Sequence, residues 1–242
     1  TQKEAARHEA KERNLDGWVF TLDFPSYGPF MQYAENRDLR EKMFMAYNTL
    51  CTHENETNNI DICKRLINIR RETAQLLGYD TYADYVLVKR MASNVANVYK
   101  LLDDLIDAYK PTAVAEKEEL KQMAKRMNGE DFKLMPWDGA FYSHKLQLEK
   151  YNVDAEMVRP YFELSKVIKG VFGLATRLYG ITFQENKDIP VYHPDVKAYE
   201  VFDKDGSYLA VLYADFYPRK GKQGGAWMTS YQDQWINQKG EN

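Results

Sequence analysis

Residues 188–228 read DIPVYHPDVKAYEVFDKDGSYLAVLYADFYPRKGKQGGAWM. Up to Gly180 the apolar residues recur at helical spacing, and beyond it they alternate, which is the period of a strand with one face turned inward. Within the quoted run, Asp205-Gly206 stands between Lys197 to Phe202 and Tyr208 to Asp215, where a hairpin turn belongs. The run predicts a small sheet near the C-terminus, and the chain before it predicts helices.

Working back from that sheet, Tyr161 to Tyr179 reads as a helix closed by Gly180. Its apolar set (Tyr161, Leu164, Val167, Ile168, Val171, Phe172, Ala175, Leu178) is broad enough to predict burial on more than one side. A helical stretch from Trp137 to Tyr151 follows a linker containing Pro136. Ser93 or Asn94 is placed to cap a long helix that runs to about Met127, kinks at Pro111 and closes at Asn128-Gly129. Thr81 to Met91 fits a short helix. In Ile60 to Leu77, the residues Ile62, Leu66, Ile69, Thr73, Leu76 and Leu77 predict one buried stripe, with Asn58 or Asn59 as N-cap and Gly78 as C-terminal cap.

Nearer the start, Phe30 to Leu50 predicts two short helices interrupted near Asn36 to Asp38. Leu15 to Asp23 alternates, with Trp18, Phe20 and Leu22 on one face, and predicts a short extended segment ended by Pro25 and Gly28-Pro29. Thr1 to Asn14 reads as a solvated helix. The expected fold class is mainly α, a multi-helix array with a small β-hairpin or sheet near the C-terminus. The expected organisation is a helical region over 1–180 and a smaller β-containing region over 181–242.

Composition limits the function classes. The chain has 242 residues, 44% apolar and 29% charged, with Lys+Arg 33 against Asp+Glu 36 and a net charge of -3. That balance gives no electrostatic reason for nucleic acid or an anionic membrane as partner. No run of eighteen apolar residues predicts a spanning helix. Cys51 and Cys63 are the only two cysteines, too few for a disulfide framework, and are read as reduced core residues.

No complete catalytic constellation emerges. A zinc peptidase helix of the form H-E-x-x-H needs two histidines four apart on one face, with the Glu between them activating water. His8-Glu9 and His53-Glu54 each lack the second histidine and read as surface residues, while His144 and His193 stand apart from any ligand-spaced partner. Cys51 and His53 are two apart and do not face each other on a helix, so a thiol–imidazole pair is disfavoured against a buried cysteine at a helix end. Arg219, Lys220 and Lys222 lie beside Gly224 and Gly225 without the order of a phosphate-binding loop. Two readings of the glycine pair stand side by side. They permit close approach of another backbone, such as a peptide substrate, or they form a tight turn packed by Trp227.

The motifs carry a resemblance. Leu15-Asp16-Gly17-Trp18, the REKMF of Arg40 to Phe44, the LLGY of Leu76 to Tyr79, the PWD of Pro136 to Asp138, Tyr161-Phe162-Glu163-Leu164, Leu178-Tyr179-Gly180-Ile181 and the 188–228 run occur in collinear order. Together they resemble the thimet oligopeptidase and dipeptidyl carboxypeptidase family of zinc metallopeptidases. Tyr192, before the HPDV of His193 to Val196, is similar to the dipeptidyl carboxypeptidase branch.

The resemblance implies a two-lobed helical fold around a deep peptide channel, with a small sheet close to the zinc. It implies release of C-terminal dipeptides from oligopeptides, with zinc as cofactor held by two histidines and a glutamate that belong beyond Asn242. The expected part of this chain is then a non-catalytic middle portion, inactive alone and partnered by the catalytic segment. The alternative is a stand-alone helical module that binds peptides without cleaving them. Gly224, Gly225 and Ala226 are the residues expected to offer main-chain hydrogen bonds to substrate, and Arg219 is expected to attract its terminal carboxylate. The expected compartment is the cytoplasm, with the periplasm as the alternative.

Overall fold

The computed structural model describes residues 2–219, 221–222 and 225–236. These form two compact units, 1–152 and 153–242. The described structure is mainly helical and ends in a three-stranded sheet.

The first unit runs α1 (Gln2–Glu12), α2 (Phe24–Tyr33), α3 (Arg37–Asn48), α4 (Ile60–Leu76), α5 (Tyr82–Leu87), α6 (Val95–Asn128) and α7 (Gly139–Tyr151). Local chemistry explains several of the ends. The Asn36, Thr81 and Asn94 side chains accept hydrogen bonds from the backbone N–H groups of Leu39, Asp84 and Asn97, which the first turns of α3, α5 and α6 would otherwise leave open. Before α4, Asn59 is the capping residue but makes no side-chain bond of this kind. The neighbouring Asn58 accepts from Ile60 N at 2.9 Å instead. Gly129 closes α6 with φ +103°, a conformation that disfavours any residue with a Cβ. Pro111 lies inside the continuous α6.

The chain between α1 and α2 is not a strand. Val19 N donates to Ala6 O, and the Ser26 side chain accepts from Thr21 N, so the segment is tied to its neighbours one bond at a time. Helix α2 also begins earlier than the proline pattern suggested. Pro25 sits in its first turn, where a missing N–H costs nothing, and Pro29 is carried inside it.

The packed centre of this unit is small. Met123 and Ala124 of α6 meet Phe141 and Tyr142 of α7, with Leu120, Phe132, Leu134 and Leu146 around them. The second centre is polar. Arg40 of α3 and Asp138 are both fully buried, and Arg40 Nη2 donates to Asp138 Oδ1 at 2.9 Å. Arg37 adds a fork onto the same carboxylate, with Nη2 to Oδ2 at 2.8 Å, and Met135 N donates to it at 3.0 Å. Arg40 also donates to the carbonyls of Ala34, Glu35 and Trp137, and its guanidinium lies 4.1 Å from the Phe141 ring centroid.

Two expectations of burial are overturned. Every residue of α4 from Ile60 to Thr73 is exposed, including Ile62, Leu66 and Ile69, and Leu76 is 87% exposed; only Ala74 is buried. Alternation at three and four residues makes one apolar face, but burial needs a second surface to cover it, and the described residues do not supply one. From Leu101 to Glu119 α6 is exposed throughout for the same reason. Cys51, held at φ +59°, and Cys63 are both exposed rather than in a core.

The second unit runs α8 (Ala155–Val158), a single 3-10 turn over Arg159–Tyr161, α9 (Leu164–Tyr179), β1 (Thr182–Glu185), β2 (Lys197–Phe202) and β3 (Tyr208–Ala214). The expected broad burial of α9 is also corrected: none of its residues is buried, and Val171, Leu174 and Leu178 are exposed. Its contact with the sheet is concentrated at Phe172, which stacks on Phe183 at 4.0 Å and meets Tyr199 edge-on at 5.0 Å.

The sheet order is β1-β2-β3, antiparallel throughout, with Lys197 opposite Ala214 and Phe202 opposite Tyr208. At the hairpin Gly206 takes φ +84°, Asp203 N donates to Ser207 O, and Asp205 Oδ1 accepts from both N and Oγ of Ser207. The Asp-Gly signal works because aspartate folds onto the backbone two residues on, while glycine accepts a positive φ.

These contacts set the response of stability to mutation and to pH. Asp138→Ala leaves the Arg40 charge buried without its partner, and is expected to cost about 3–5 kcal/mol in urea unfolding of the chain. Burial raises the Asp138 carboxyl, but its bonds from Arg37, Met135 N and Arg40 outweigh that and hold it below the usual carboxylate range. Its contribution is therefore complete above the unfolded value of about 3.9 and is lost as pH falls through the lower folded value. Unfolding followed from about pH 7 downward checks the sign, because a stabilising contribution that grew on acidification would contradict it. In contrast, Ile69→Gln on the open face of α4 is expected to change stability by no more than about 0.5 kcal/mol.

Candidate functional site

The sheet of the second unit carries a polar knot at the end of β3. Asp215 follows Ala214 and points its carboxylate at the next bend of the chain, where Arg219 closes on it with two parallel bonds: Nη1 to Oδ1 and Nη2 to Oδ2, each 2.8 Å. Lys222 Nζ reaches the same carboxylate at 3.0 Å and also donates to the carbonyls of Asp215 and Tyr217. From the loop before β2, the Tyr192 hydroxyl donates to Asp215 Oδ2 at 3.1 Å. One carboxylate thus gathers two cations and a phenol. A planar guanidinium suits such a two-bond fork, which sets both distance and angle.

The titration behaviour agrees with this geometry. The Arg219 bonds, helped by Lys222 and Tyr192 and opposed by partial burial, hold the Asp215 carboxyl far below the usual carboxylate range. Arg219 is raised in return by its bonds to Asp215. Tyr192 is raised by partial desolvation and by the neighbouring carboxylate, which disfavours a phenolate.

Beside the knot lies an open hollow of about 460 Å³, lined by Pro190, Val191, Tyr192, Tyr213 and Tyr231. The Tyr213 and Tyr231 rings meet edge to face at 5.9 Å, and the Arg219 guanidinium carbon lies 5.9 Å from the Tyr192 ring centroid. His193 is turned inward to its own loop: Nδ1 accepts from Asp195 N at 3.2 Å, and its carbonyl accepts from Val196 N. The His-Pro-Asp-Val run is thereby a bend that delivers the chain into β2.

Of the residues singled out in the sequence, Arg219 stands at the rim of this hollow, bound to Asp215. Gly225 has φ +102°, so its conformation favours glycine, while a Cβ built there would meet nothing within 4 Å. Ala226 and Trp227 are exposed. Gly224 and Lys220 lie outside the described residues. Sequence reasoning missed Asp215, Tyr213 and Tyr231. The acid four residues before Arg219 was the available signal for Asp215.

The histidines are dispersed. His8 lies 3.6 Å from Glu12 on the exposed face of α1, His53 contacts Thr49, and His144 is buried beside Tyr33 and Gln32. Among the described residues no group of three or more His, Cys, Asp or Glu is arranged to hold a metal ion. No described helix is long and apolar enough to cross a membrane.

The described residues thus combine helices, a small antiparallel sheet and a charged bend beside an aromatic hollow. Residues 30–241 match Peptidase family M3, and the chain belongs to that family. It is 39% identical over 228 residues to oligopeptidase A of Escherichia coli, covering 93% of this chain and 33% of that protein. It is 36% identical over 231 residues to dipeptidyl carboxypeptidase of the same organism, covering 95% and 34%. Organellar oligopeptidase A of Arabidopsis thaliana is 39% identical over 224 residues, covering 91% and 28%. The chain spans about a third of the length of these relatives. The family's metal is zinc, but the described residues do not fit it, since they offer no ligand set, and zinc enters no chemical step assigned to them.

If Asp215 is what holds this bend, Asp215→Asn frees Arg219 and Lys222 while leaving the sheet in place. Tryptic cleavage after Arg219 and Lys222 is expected to speed up in the variant, with the β-sheet signal in circular dichroism unchanged. Equal cleavage rates would show that the bend is held by something else. In the wild-type chain the Asp215 carboxyl is expected to stay ionised below about pH 3.9 and to protonate only at more acid pH, which carbon-13 NMR of the side-chain carboxyl checks.

Proposed function

We propose that this chain builds part of the substrate channel of a zinc metallopeptidase that releases C-terminal dipeptides from oligopeptides, and that the zinc chemistry is performed by another segment of such an enzyme, carrying H-E-x-x-H. The observation that carries the reading is the M3 match over residues 30–241, in a chain that spans about a third of the length of relatives named as peptidases. Tyr192 before the His-Pro-Asp-Val bend is what supports dipeptide release, while relatives of both names, oligopeptidase A and dipeptidyl carboxypeptidase, match the chain. The substrate is an oligopeptide. The relatives' names include a probable cytosolic enzyme and an organellar one, and we place this one in the cytoplasm.

In this reading the segment of Gly224, Gly225 and Ala226 offers its main chain to an extended peptide, as an added strand would use it. Arg219 attracts the terminal carboxylate. Asp215 occupies two of the five guanidinium N–H donors, and a single carboxylate held between Arg219 and Lys222 leaves the knot with a positive excess.

A second reading, a peptide-binding module without catalysis, is favoured by the completeness of the Asp215 knot within one unit. Elemental analysis and a cleavage assay of the purified chain separate these from an unforeseen active site. Neither stoichiometric zinc nor dipeptide release is expected, and chelator-sensitive cleavage by the chain itself would overturn both. To separate the first reading from the second, the chain replaces the matching third of E. coli dipeptidyl carboxypeptidase. The hybrid is expected to release dipeptides, and Gly225→Val in it to lower kcat/KM by about tenfold or more, a loss of roughly 1.4 kcal/mol of transition-state binding. Unchanged kcat/KM in that variant would remove the glycine segment from the substrate path.

A further inference from the structure

The hollow beside the knot has a chemistry of its own. We propose that this hollow, lined by Pro190, Val191, Tyr192, Tyr213 and Tyr231, is the subsite for the side chain of a peptide's C-terminal residue, and that it takes an apolar side chain, an aromatic one best. The assignment rests on the peptidase reading, which supplies the peptide.

Three observations lead there. The lining is uncharged, made of three tyrosines, a proline and a valine, so it offers an entering side chain apolar contact. Its volume of about 460 Å³ lies within the range of roughly 300–1,000 Å³ usual for small-ligand sites, and holds one aromatic side chain with its backbone. Tyr213 and Tyr231 both line it and meet edge to face at 5.9 Å, a geometry that aromatic quadrupoles favour and that a further ring could join.

The cation fixes which residue of the peptide belongs here. Arg219 stands over Tyr192 at the rim, while Asp215 holds its guanidinium by one edge. Lys222 spends its donors on Asp215 and on two carbonyls, which, among the described residues of the knot, leaves Arg219 as the group able to meet a second carboxylate. Asp195, the other acid that acts on Arg219, is about half exposed and makes no hydrogen bond to it among the described residues. A free α-carboxylate adjoining an apolar side chain is a feature of a peptide's last residue alone. Tyr192 joins the two halves, since its ring lines the hollow and its hydroxyl is anchored on Asp215.

The test is calorimetric titration of the purified chain with three probes: acetyl-Ala-Phe, acetyl-Ala-Gly and acetyl-Ala-Phe-amide. The Phe acid is expected to bind at least about tenfold more tightly than the Gly acid, the scale on which apolar pockets discriminate side chains. Tyr213→Ala is expected to abolish that difference and leave the Gly acid within about twofold of its wild-type affinity. Tyr213→Phe, which keeps the ring, is expected to retain the difference and guards against misfolding as the cause. Phe and Gly acids binding alike to the wild-type chain, or no binding of the Phe acid at millimolar concentration, would overturn the subsite. Failure of the carboxylate reading looks different: acid and amide of the Phe probe would bind alike while the preference for Phe over Gly survived. Failure of the peptidase reading appears only in cleavage by the hybrid enzyme.

Discussion

The first unit is organised around one buried ion pair. Arg40 sits where α2 ends, donating to the carbonyls of Ala34 and Glu35, and Asp138 sits where α7 begins. A cation at a helix C-terminus and an anion at a helix N-terminus each complement the helix dipole, so the Arg40–Asp138 bond joins two ends that already carry the right partial charges. Arg37 and Met135 N complete the carboxylate, and Trp137 O takes a further Arg40 donor. Burial of charge is tolerable here because both ions are bonded on nearly every side. An apolar pair of the same volume would leave those carbonyls without donors. The constraint therefore fixes α2, α3 and α7 against one another, and the small apolar centre of Met123, Ala124, Phe141 and Tyr142 is built beside it.

The second unit repeats the device at its surface with different consequences. Asp215 stands at the end of an edge strand and draws in cations from four and seven residues ahead, turning an otherwise open stretch into a bend. Because this knot is near solvent, its bonds set direction more than they stabilise the unit. The bend fixes the direction in which Arg219 leaves β3, and Tyr192 ties the loop before β2 to the end of β3.

Much of this was legible from local chemistry. Asn94, Gly129, Gly180 and Asp205-Gly206 mark their turns because a cap or a positive φ is decided within a few residues. The REKMF and PWD motifs were visible as separate signatures of the family, and the structure makes them one contact: Arg40 pairs with Asp138, and Phe44 meets Trp137 edge-on at 6.2 Å. The faces of α4 and α9 were misread because helical periodicity reports that a face is apolar, whereas its burial depends on a covering surface that no local pattern encodes. The cysteines failed for the same reason. At the site, Arg219 was legible as a cation, but its counter-ion Asp215 was not recognised, since the pairing depends on how the chain bends after β3.

A cluster of Arg and Lys beside glycines suggests a surface that attracts anions, yet Lys222 has no donor left once Asp215 and two carbonyls are satisfied. Arg219 differs because a guanidinium has five donors in a fixed plane and Asp215 engages one edge only. The same acid that neutralises half of the cluster therefore orients the other half, and it does so beside three tyrosines whose rings carry no charge. Selectivity for a terminal residue needs both parts at once, a cation that cannot swing away and an apolar wall at a fixed distance from it, and Asp215 is the group through which the two are connected.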